Sequence, residues 1–371
     1  MRLFKCSRCE QVLYFENSAC LRCGSRLGFF PDSLTLEALE PDGDHWRALD
    51  GPHGAHRFCR NAAHSACNWM LRADDPSPYC RACRHNRTVP DLSIPERLEA
   101  WRRIETAKRR LFYTLLRLRL PTPDPNSGDP QPLSFDFLAD PRRGPKVMTG
   151  HDNGHITIAL SEADDLARER LRIELGEPYR TLLGHFRHEI GHYYWDRLVR
   201  DAGDTELERC RALFGDERRD YGEALAAYYA NGAPDDWQAS YVSSYATMHA
   251  WEDWGETWAH YLHMVDTLEM ASAFGIRIAP DVADDASMDA QLALDPVLVA
   301  DVQRLVDAWL PLTYAVNSLN RAMGQPDLYP FVIAPAVIGK MAYIHDLIRR
   351  QGRKRPPPAA AGAGLAGRAP V

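Results

Sequence analysis

Residues 184–195 read GHFRHEIGHYYW, a stretch that contains the pattern HExxH. On a helix His188 and His192 stand one turn apart, so both imidazoles face one metal ion, with Glu189 beside them. This arrangement is typical of a zinc site in which the glutamate acts as general base on a zinc-activated water. We therefore predict a catalytic zinc ion held by His188 and His192, with Glu189 as a catalytic residue.

A third ligand is needed to complete such a site, and its position separates the classes of zinc enzyme. A metzincin would carry Gly at position 195 and His at position 198, where this chain has Trp195 and Leu198. The remaining candidate is a carboxylate from a later helix. In the segment WEDWGETWAHY, residues 251–261, Glu252 and Glu256 stand one helical turn apart on one face. We predict that Glu252 binds the metal and that Glu256 accepts the ring N–H of a ligand histidine.

Eight of the nine cysteines lie before residue 84, in spacings that suit a metal better than disulfide bridges. The CxxC pairs at residues 6–9 and 20–23 are spaced to surround one zinc ion tetrahedrally. A third pair, at residues 80–83, needs Cys59 and Cys67 as partners to complete a second site. The eight predicted ligands are Cys6, Cys9, Cys20, Cys23, Cys59, Cys67, Cys80 and Cys83.

Both cysteine sites are predicted to be structural, because four thiolates leave no position for water or substrate. Zinc, rather than a core of periodic apolar runs, is expected to hold this segment together. Two alternatives stay open: free or disulfide-linked thiols, and replacement of one thiolate in the second site by His56 or His64. With the HExxH site, the expected content is three zinc ions, one catalytic and two structural.

Composition excludes several other functions. With 44 Lys and Arg residues against 51 Asp and Glu residues, the net charge of −7 provides no broad basic field for nucleic acid. No window approaches eighteen uninterrupted apolar residues, so neither a membrane span nor a membrane partner is expected. The first CxxC motif leaves no room before it for a secretory signal, and we expect a cytoplasmic protein.

Apolar periodicity and turn residues divide the chain into three predicted segments. Residues 1–95 are expected to form a zinc-ribbon domain with two structural zinc sites, residues 96–350 a zincin-like metallopeptidase domain, and residues 351–371, rich in Pro, Ala and Gly, a disordered tail. The predicted fold is of the α+β class. With the resemblances given below, it is expected to consist of a small N-terminal double zinc-ribbon domain, followed by a mostly helical zincin-like metalloprotease domain with a small β-sheet.

Helices and strands are predicted mainly from the spacing of apolar residues. The helices are expected at residues 93–120, 162–175, 179–200, 205–214, 221–230 and 251–273, with further helices between residues 296 and 350. The strands are expected at residues 133–138, 146–149 and 155–160. The last strand is the candidate sheet edge along which an extended peptide would add.

An HExxH helix followed by a Glu-x-x-x-Glu helix resembles the gluzincins. The spacing from Tyr245 to Glu252 and Glu256 is similar to that of the catalytic domain of anthrax lethal factor, which implies that Tyr245 is a catalytic residue that donates a hydrogen bond near the scissile carbonyl or leaving group. Nearly the whole chain, up to about residue 350, resembles bacterial zinc-binding metallopeptidases with an N-terminal zinc-ribbon domain. The CxxC pairs, residues 179–195 and the WED of residues 251–253 carry this resemblance.

Residues and resemblance together predict a zinc-dependent metallopeptidase that hydrolyses peptide bonds in a peptide or protein substrate. Three other functions stay open: a catalytically inactive zincin-fold scaffold or regulatory protein, a zinc-ribbon nucleic-acid-binding protein, and a hydrolase of non-peptide amides. The zinc-ribbon domain could bind a protein partner. The balanced charge argues against nucleic acid as a partner.

Overall fold

The computed structural model describes residues 2–141, 143–166, 168, 181–281 and 288–354. Most of the helix predicted over residues 162–175, the start of the helix predicted from residue 179 and most of the predicted tail lie outside these residues. The other predicted helices are present, with their ends shifted by a few residues. The α+β class is confirmed.

The described residues include seven α-helices. They are α1 (Pro95–Arg117), α2 (Leu182–Leu198), α3 (Asp204–Phe214), α4 (Tyr221–Asn231), α5 (Ala250–Ala273), α6 (Val302–Ala322) and α7 (Pro335–Arg353). The last helix continues past residue 350, where the tail was predicted to begin. None of the helices in the described part of the chain is long and apolar enough to cross a membrane.

Helix α2 packs directly against α5, and small residues allow the close approach. A Cβ atom at Gly191 would lie 3.1 Å from the Cβ of Trp258, so a larger side chain would push the helices apart. The indole N–H of Trp254 donates a 2.8 Å hydrogen bond to the carbonyl oxygen of Gly191. The first turn of α2 is capped by Thr181, whose hydroxyl accepts a hydrogen bond from the Gly184 N–H. This helix pair forms a fixed frame for the HExxH residues.

The N-terminal part of the chain consists of short antiparallel strands. Strands β1 (Phe4–Lys5) and β2 (Val12–Leu13) form a hairpin. A five-stranded sheet follows, in the order β3 (Leu27–Phe30), β4 (Thr35–Asp42), β5 (His45–Ala48), β6 (His56–Phe58) and β7 (Met70–Arg72).

An aromatic core helps to hold these strands together, so the expectation of a segment without an apolar core was wrong. The ring of Phe29 lies 4.9 Å from that of Phe15 and 4.9 Å from that of Trp69. Tyr113 of α1 packs 5.5 Å from Phe15, which makes this core continuous with the helical part of the molecule. Most of these strands have four residues or fewer, too few for an apolar alternation to be visible in the sequence.

A second sheet joins the N-terminal part to the helices. It contains β8 (Asn86–Thr88), β9 (Ser134–Leu138), β10 (Gly150–Asp152) and β11 (His155–Ala159), in the spatial order β10-β11-β9-β8. Strand β9 pairs in parallel with β8 and β11, whereas β10 and β11 are antiparallel. A further small pair is formed by β12 (Arg277–Ile278) and β13 (Ala290–Gln291).

Two predictions about this sheet were wrong. The strand expected at residues 146–149 lies at Gly150–Asp152, because Asn153 and Gly154 adopt positive φ angles and form a two-residue hairpin turn. That turn fixes the register in which Asp152 faces His155. Strand β11 is also not the sheet edge, since it lies between β10 and β9. The edge nearest the HExxH helix is β10.

Candidate metal centre and cleft

Two groups of four cysteines each bring their sulfur atoms within 4.8 Å of one another. The first cysteine cluster is Cys6, Cys9, Cys20 and Cys23, and the second is Cys59, Cys67, Cys80 and Cys83. The sulfur pairs Cys6–Cys23, Cys9–Cys20 and Cys67–Cys80 are separated by 3.8, 3.6 and 3.7 Å, and no cysteine forms a disulfide. Zinc–sulfur distances of about 2.3 Å give tetrahedral edges of about 3.8 Å, so both clusters fit zinc.

The second cysteine cluster is buried against α1, which supplies charged residues around the sulfurs. Cys83 Sγ lies 3.5 Å from a carboxylate oxygen of Glu105, and that carboxylate accepts a 2.8 Å hydrogen bond from Lys108. Both of these charged side chains are fully buried. Arg109, also buried, lies beside Cys67 and Cys83. Burial lowers the pKa of its guanidinium, but the two sulfurs and Glu105 together raise it, and the net shift is upward. His56 and His64, which were considered as replacements for one thiolate, do not belong to the cluster.

Helices α2 and α5 bring together the three predicted ligands of the HExxH site. The ligand atoms of His188, His192 and Glu252 lie within 4.8 Å of one another, and we call this group the His–Glu cluster. His188 Nε2 is 3.0 Å from His192 Nε2 and 3.0 Å from Glu252 Oε2. Glu252 Oε1 is 3.8 Å from His192 Nε2. Two imidazoles and a carboxylate converging in this way are a donor set that suits zinc.

Glu256 lies behind His188, as predicted for a residue that orients a ligand. Its Oε1 is 2.8 Å from His188 Nδ1, and its Oε2 accepts a 2.6 Å hydrogen bond from the Ser243 hydroxyl. Burial favours a raised pKa for Glu256, but the hydrogen bond and charge of His188 outweigh it and lower the pKa to about 2. An ionised Glu256 accepts a proton donated by Nδ1, so the free Nε2 lone pair of His188 faces the His–Glu cluster.

His192 is held differently, by ring contacts. The ring of Trp251 lies 3.9 Å from the ring of His192. The ring of His151 lies 6.3 Å from the ring of His192, in a nearly parallel plane. Among the described residues, His192 Nδ1 has no hydrogen-bond partner. Stacking therefore fixes the orientation of His192, whereas a carboxylate fixes that of His188.

A cavity of about 230 Å³ opens beside the His–Glu cluster. Glu189, Tyr245 and His188 line it, and it extends to Phe331. Burial raises the pKa of Glu189 to about 7, against the opposing charge of His188. Burial also raises the pKa of the Tyr245 hydroxyl, which therefore keeps its proton and can donate a hydrogen bond. The cavity thus contains a carboxylate able to exchange protons near neutral pH.

Several residues at this site were missed in the sequence. The Tyr221 hydroxyl donates a 3.0 Å hydrogen bond to Glu252 Oε1, although 31 positions separate the two residues. Asp253 is fully buried and pairs with Lys340 Nζ at 2.6 Å. Gly255 lets α5 approach His188 closely, because a Cβ there would lie 2.9 Å from His188 Cε1. Short-range spacing carries no signal for contacts of this kind.

Comparison with known proteins gives matches over both parts of the chain. A family described as "Putative zinc-binding metallo-peptidase" matches residues 97–347, and a zinc-ribbon domain matches residues 3–94. The chain is similar to an uncharacterized protein of Mycobacterium bovis and to uncharacterized proteins of two Mycobacterium tuberculosis strains. Each is 43% identical over 348 residues, which cover 94% of this chain and 95% of the relative. No solved structure matches, and the resemblance to anthrax lethal factor stays a prediction.

Proposed function

Because the chain belongs to this family of zinc-binding metallopeptidases, we propose that it hydrolyses peptide bonds at a gluzincin-type site. In this proposal His188, His192 and Glu252 bind the catalytic zinc ion, and Glu189 is the general base. One observation carries the proposal: Glu189 lines a cavity directly beside three converging metal-ligating side chains. An orienting carboxylate on His188 Nδ1 supports it.

Each residue has a distinct task in the proposed reaction. Zinc bound at the His–Glu cluster would supply a Lewis acid that polarises the scissile carbonyl and lowers the pKa of water. Glu189, with a pKa raised to about 7, takes a proton from the attacking water and returns it to the leaving amine. Glu256 keeps His188 in the tautomer whose Nε2 is free to bind metal. Tyr245 donates a hydrogen bond to the oxyanion that develops on the substrate.

The sheet edge suggests how a peptide would lie in the cleft. Met148 and Thr149 line the cavity and lead directly into β10, the edge strand next to α2. An extended peptide can add to such an edge through main-chain hydrogen bonds. We propose that β10, rather than the predicted β11, binds the substrate in this way, with the scissile bond reaching the cavity beside Glu189.

The proposal is tested with the full chain, a library of internally quenched peptides and metal analysis. Replacing Glu189→Gln is expected to lower kcat/KM by about 10²- to 10⁴-fold, because the base is lost while the zinc ligands stay. Zinc content is expected to stay at three ions per chain. The control for Glu189→Gln is the same substitution at an exposed position on α3, Glu208→Gln, which should leave kcat/KM unchanged.

Two outcomes would overturn the proposal. One is a wild-type protein that cleaves no member of the library, which would favour the scaffold or regulatory function. The other is a Glu189→Gln variant as active as the wild type. A zinc content of one ion per chain or none would contradict the arrangement of one catalytic and two structural sites.

A further inference from the structure

We propose that Tyr221 is a positioning residue that holds Glu252 and Tyr245 in place, an inference that rests on the proposed role of Glu252 as a zinc ligand. The hydroxyl of Tyr221 donates a 3.0 Å hydrogen bond to Glu252 Oε1. The other oxygen, Oε2, lies 3.0 Å from His188 Nε2. Oε1 is thus hydrogen-bonded to a phenol and lies 3.8 Å from His192 Nε2, whereas Oε2 lies closer to an imidazole of the His–Glu cluster.

Burial makes this division important. Glu252 is only 3% exposed, and a buried carboxylate is costly unless both of its oxygens have partners. A carboxylate that binds a metal through one oxygen leaves the second oxygen in need of a donor. Tyr221 supplies that donor. Its hydrogen bond favours binding through the other oxygen alone, which leaves room at the metal for water and substrate.

Tyr221 also connects Glu252 to Tyr245. The two tyrosine hydroxyls lie close enough that each affects the pKa of the other. Tyr245 is among the residues that line the cavity, whereas the described lining residues do not include Tyr221. Tyr221 would thus act on the reaction through two other side chains, the metal ligand and the proposed oxyanion donor.

The backbone around Tyr221 is well anchored. Asp220 caps the first turn of α4 through its side chain, so Tyr221 is the first residue of a fixed helix. The preceding Arg219 carbonyl oxygen lies 3.1 Å from His249 Nε2, and His249 itself caps α5 directly before Glu252. The rings of Tyr221 and His249 are 5.5 Å apart. The capped N-termini of α4 and α5 therefore fix the position of the Tyr221 phenol relative to the Glu252 carboxylate.

The test compares Tyr221→Phe with the wild type in metal binding, which does not depend on activity. Competition with a chelator is expected to show zinc binding at the His–Glu cluster weakened by about 10- to 100-fold, and both cysteine clusters unchanged. The absorption spectrum of the cobalt-substituted site should shift, because the carboxylate ligand is no longer held. The control Tyr314→Phe, an exposed tyrosine on α6, should change neither. A Tyr221→Phe protein with wild-type zinc affinity and cobalt spectrum would overturn the inference.

A second variant shows whether Tyr221 works through Glu252. The double variant Tyr221→Phe with Glu252→Gln should bind zinc no more weakly than Glu252→Gln alone, and a further loss would contradict the inference. If Glu252→Gln itself keeps wild-type zinc affinity, the ligand assignment and the inference both fail. If the wild type binds zinc but cleaves no peptide, only the proposed peptidase function fails. In an active enzyme, Tyr221→Phe should lower kcat more than it changes KM.

Discussion

The second cysteine cluster and the His–Glu cluster both gather metal-ligating atoms within 4.8 Å, but their surroundings are opposite. In the second cysteine cluster, four buried cysteines surround the position of the metal, and α1 covers it. At the His–Glu cluster three candidate ligands converge, and a cavity of about 230 Å³ opens beside them. Ligand number and access, rather than the metal, separate a site that can only stabilise the fold from one that can perform chemistry.

The neighbouring charges follow the same division. Four thiolates around a zinc ion carry a net negative charge. Buried Lys108, Arg109 and Glu105 lie next to the second cysteine cluster and together carry one net positive charge. Two neutral imidazoles and one carboxylate leave a net positive charge on the metal, and the ionised Glu256 lies behind His188. Each cluster is thus accompanied by side chains of the charge that a bound zinc ion would require.

The largest expected effect comes from removing one ligand from each cluster in turn. Cys80→Ser should release one zinc ion and lower the free energy of unfolding by about 5 kcal/mol or more, because a structural zinc site contributes directly to folding. His192→Ala should also release one zinc ion and abolish hydrolysis, yet cost less than about 3 kcal/mol, since Trp254 and Trp258 also join the two helices through packing at Gly191. Metal analysis and chemical denaturation measure both quantities. Equal losses of stability would remove the distinction between the two clusters.

A smaller effect is expected from the charge beside the second cysteine cluster. Arg109→Met should speed the removal of zinc from that cluster by a chelator about tenfold, because the buried thiolates lose a neighbouring cation. The Cys80→Ser variant identifies which phase of release belongs to this cluster. Arg103→Met is the matched control, since Arg103 is on the same helix and half-exposed. Faster release from the His–Glu cluster instead would show that Arg109 acts through the fold as a whole.

The smallest expected effect concerns a buried histidine of the core and the dependence of the free energy of unfolding on pH. His345 of α7 is buried against Tyr261, and burial lowers the pKa of its imidazole. The ordinary pKa of histidine is about 6.5, so the unfolded chain takes up a proton on His345 below that pH while the folded chain does not. The free energy of unfolding should therefore fall as the pH drops below about 6.5.

The change His345→Gln is expected to flatten this dependence by about 1 kcal/mol or less between pH 7 and pH 5.5. Denaturant unfolding at saturating zinc is the measurement, because the metal ligands also bind protons as the pH falls. An unchanged slope in the variant would show that His345 does not contribute to the acid sensitivity.

The grouping of the proposed metal ligands was predictable because helical geometry converts spacing into position. Residues four apart on a helix share a face, so His188 with His192 and Glu252 with Glu256 each define one side of the site. The CxxC pairs are equally local. The other step was to predict which later helix packs against the HExxH helix. Only one later segment has paired carboxylates among tryptophans.

Contacts between distant segments could not be predicted in this way. Tyr221 reaches Glu252, and Lys340 reaches Asp253 across 87 positions, through packing that no periodic pattern encodes. The register of the β10–β11 hairpin depended on which two residues form the turn, and an error there moved the predicted strand and misplaced the sheet edge. Very short strands concealed the aromatic core of the N-terminal part.

The pairing of β8 with β9 limits how this protein can be cut into pieces. Residues 86–88 belong to the predicted zinc-ribbon segment, yet they form one edge of the sheet that β9 continues. A fragment starting at residue 96 would leave the N–H and C=O groups of β9 unpaired on one side, a template for aggregation between copies. The same fragment would expose the face of α1 that now packs on Phe15 and the second cysteine cluster. Expression trials and any natural processing should therefore keep the two parts of the chain together.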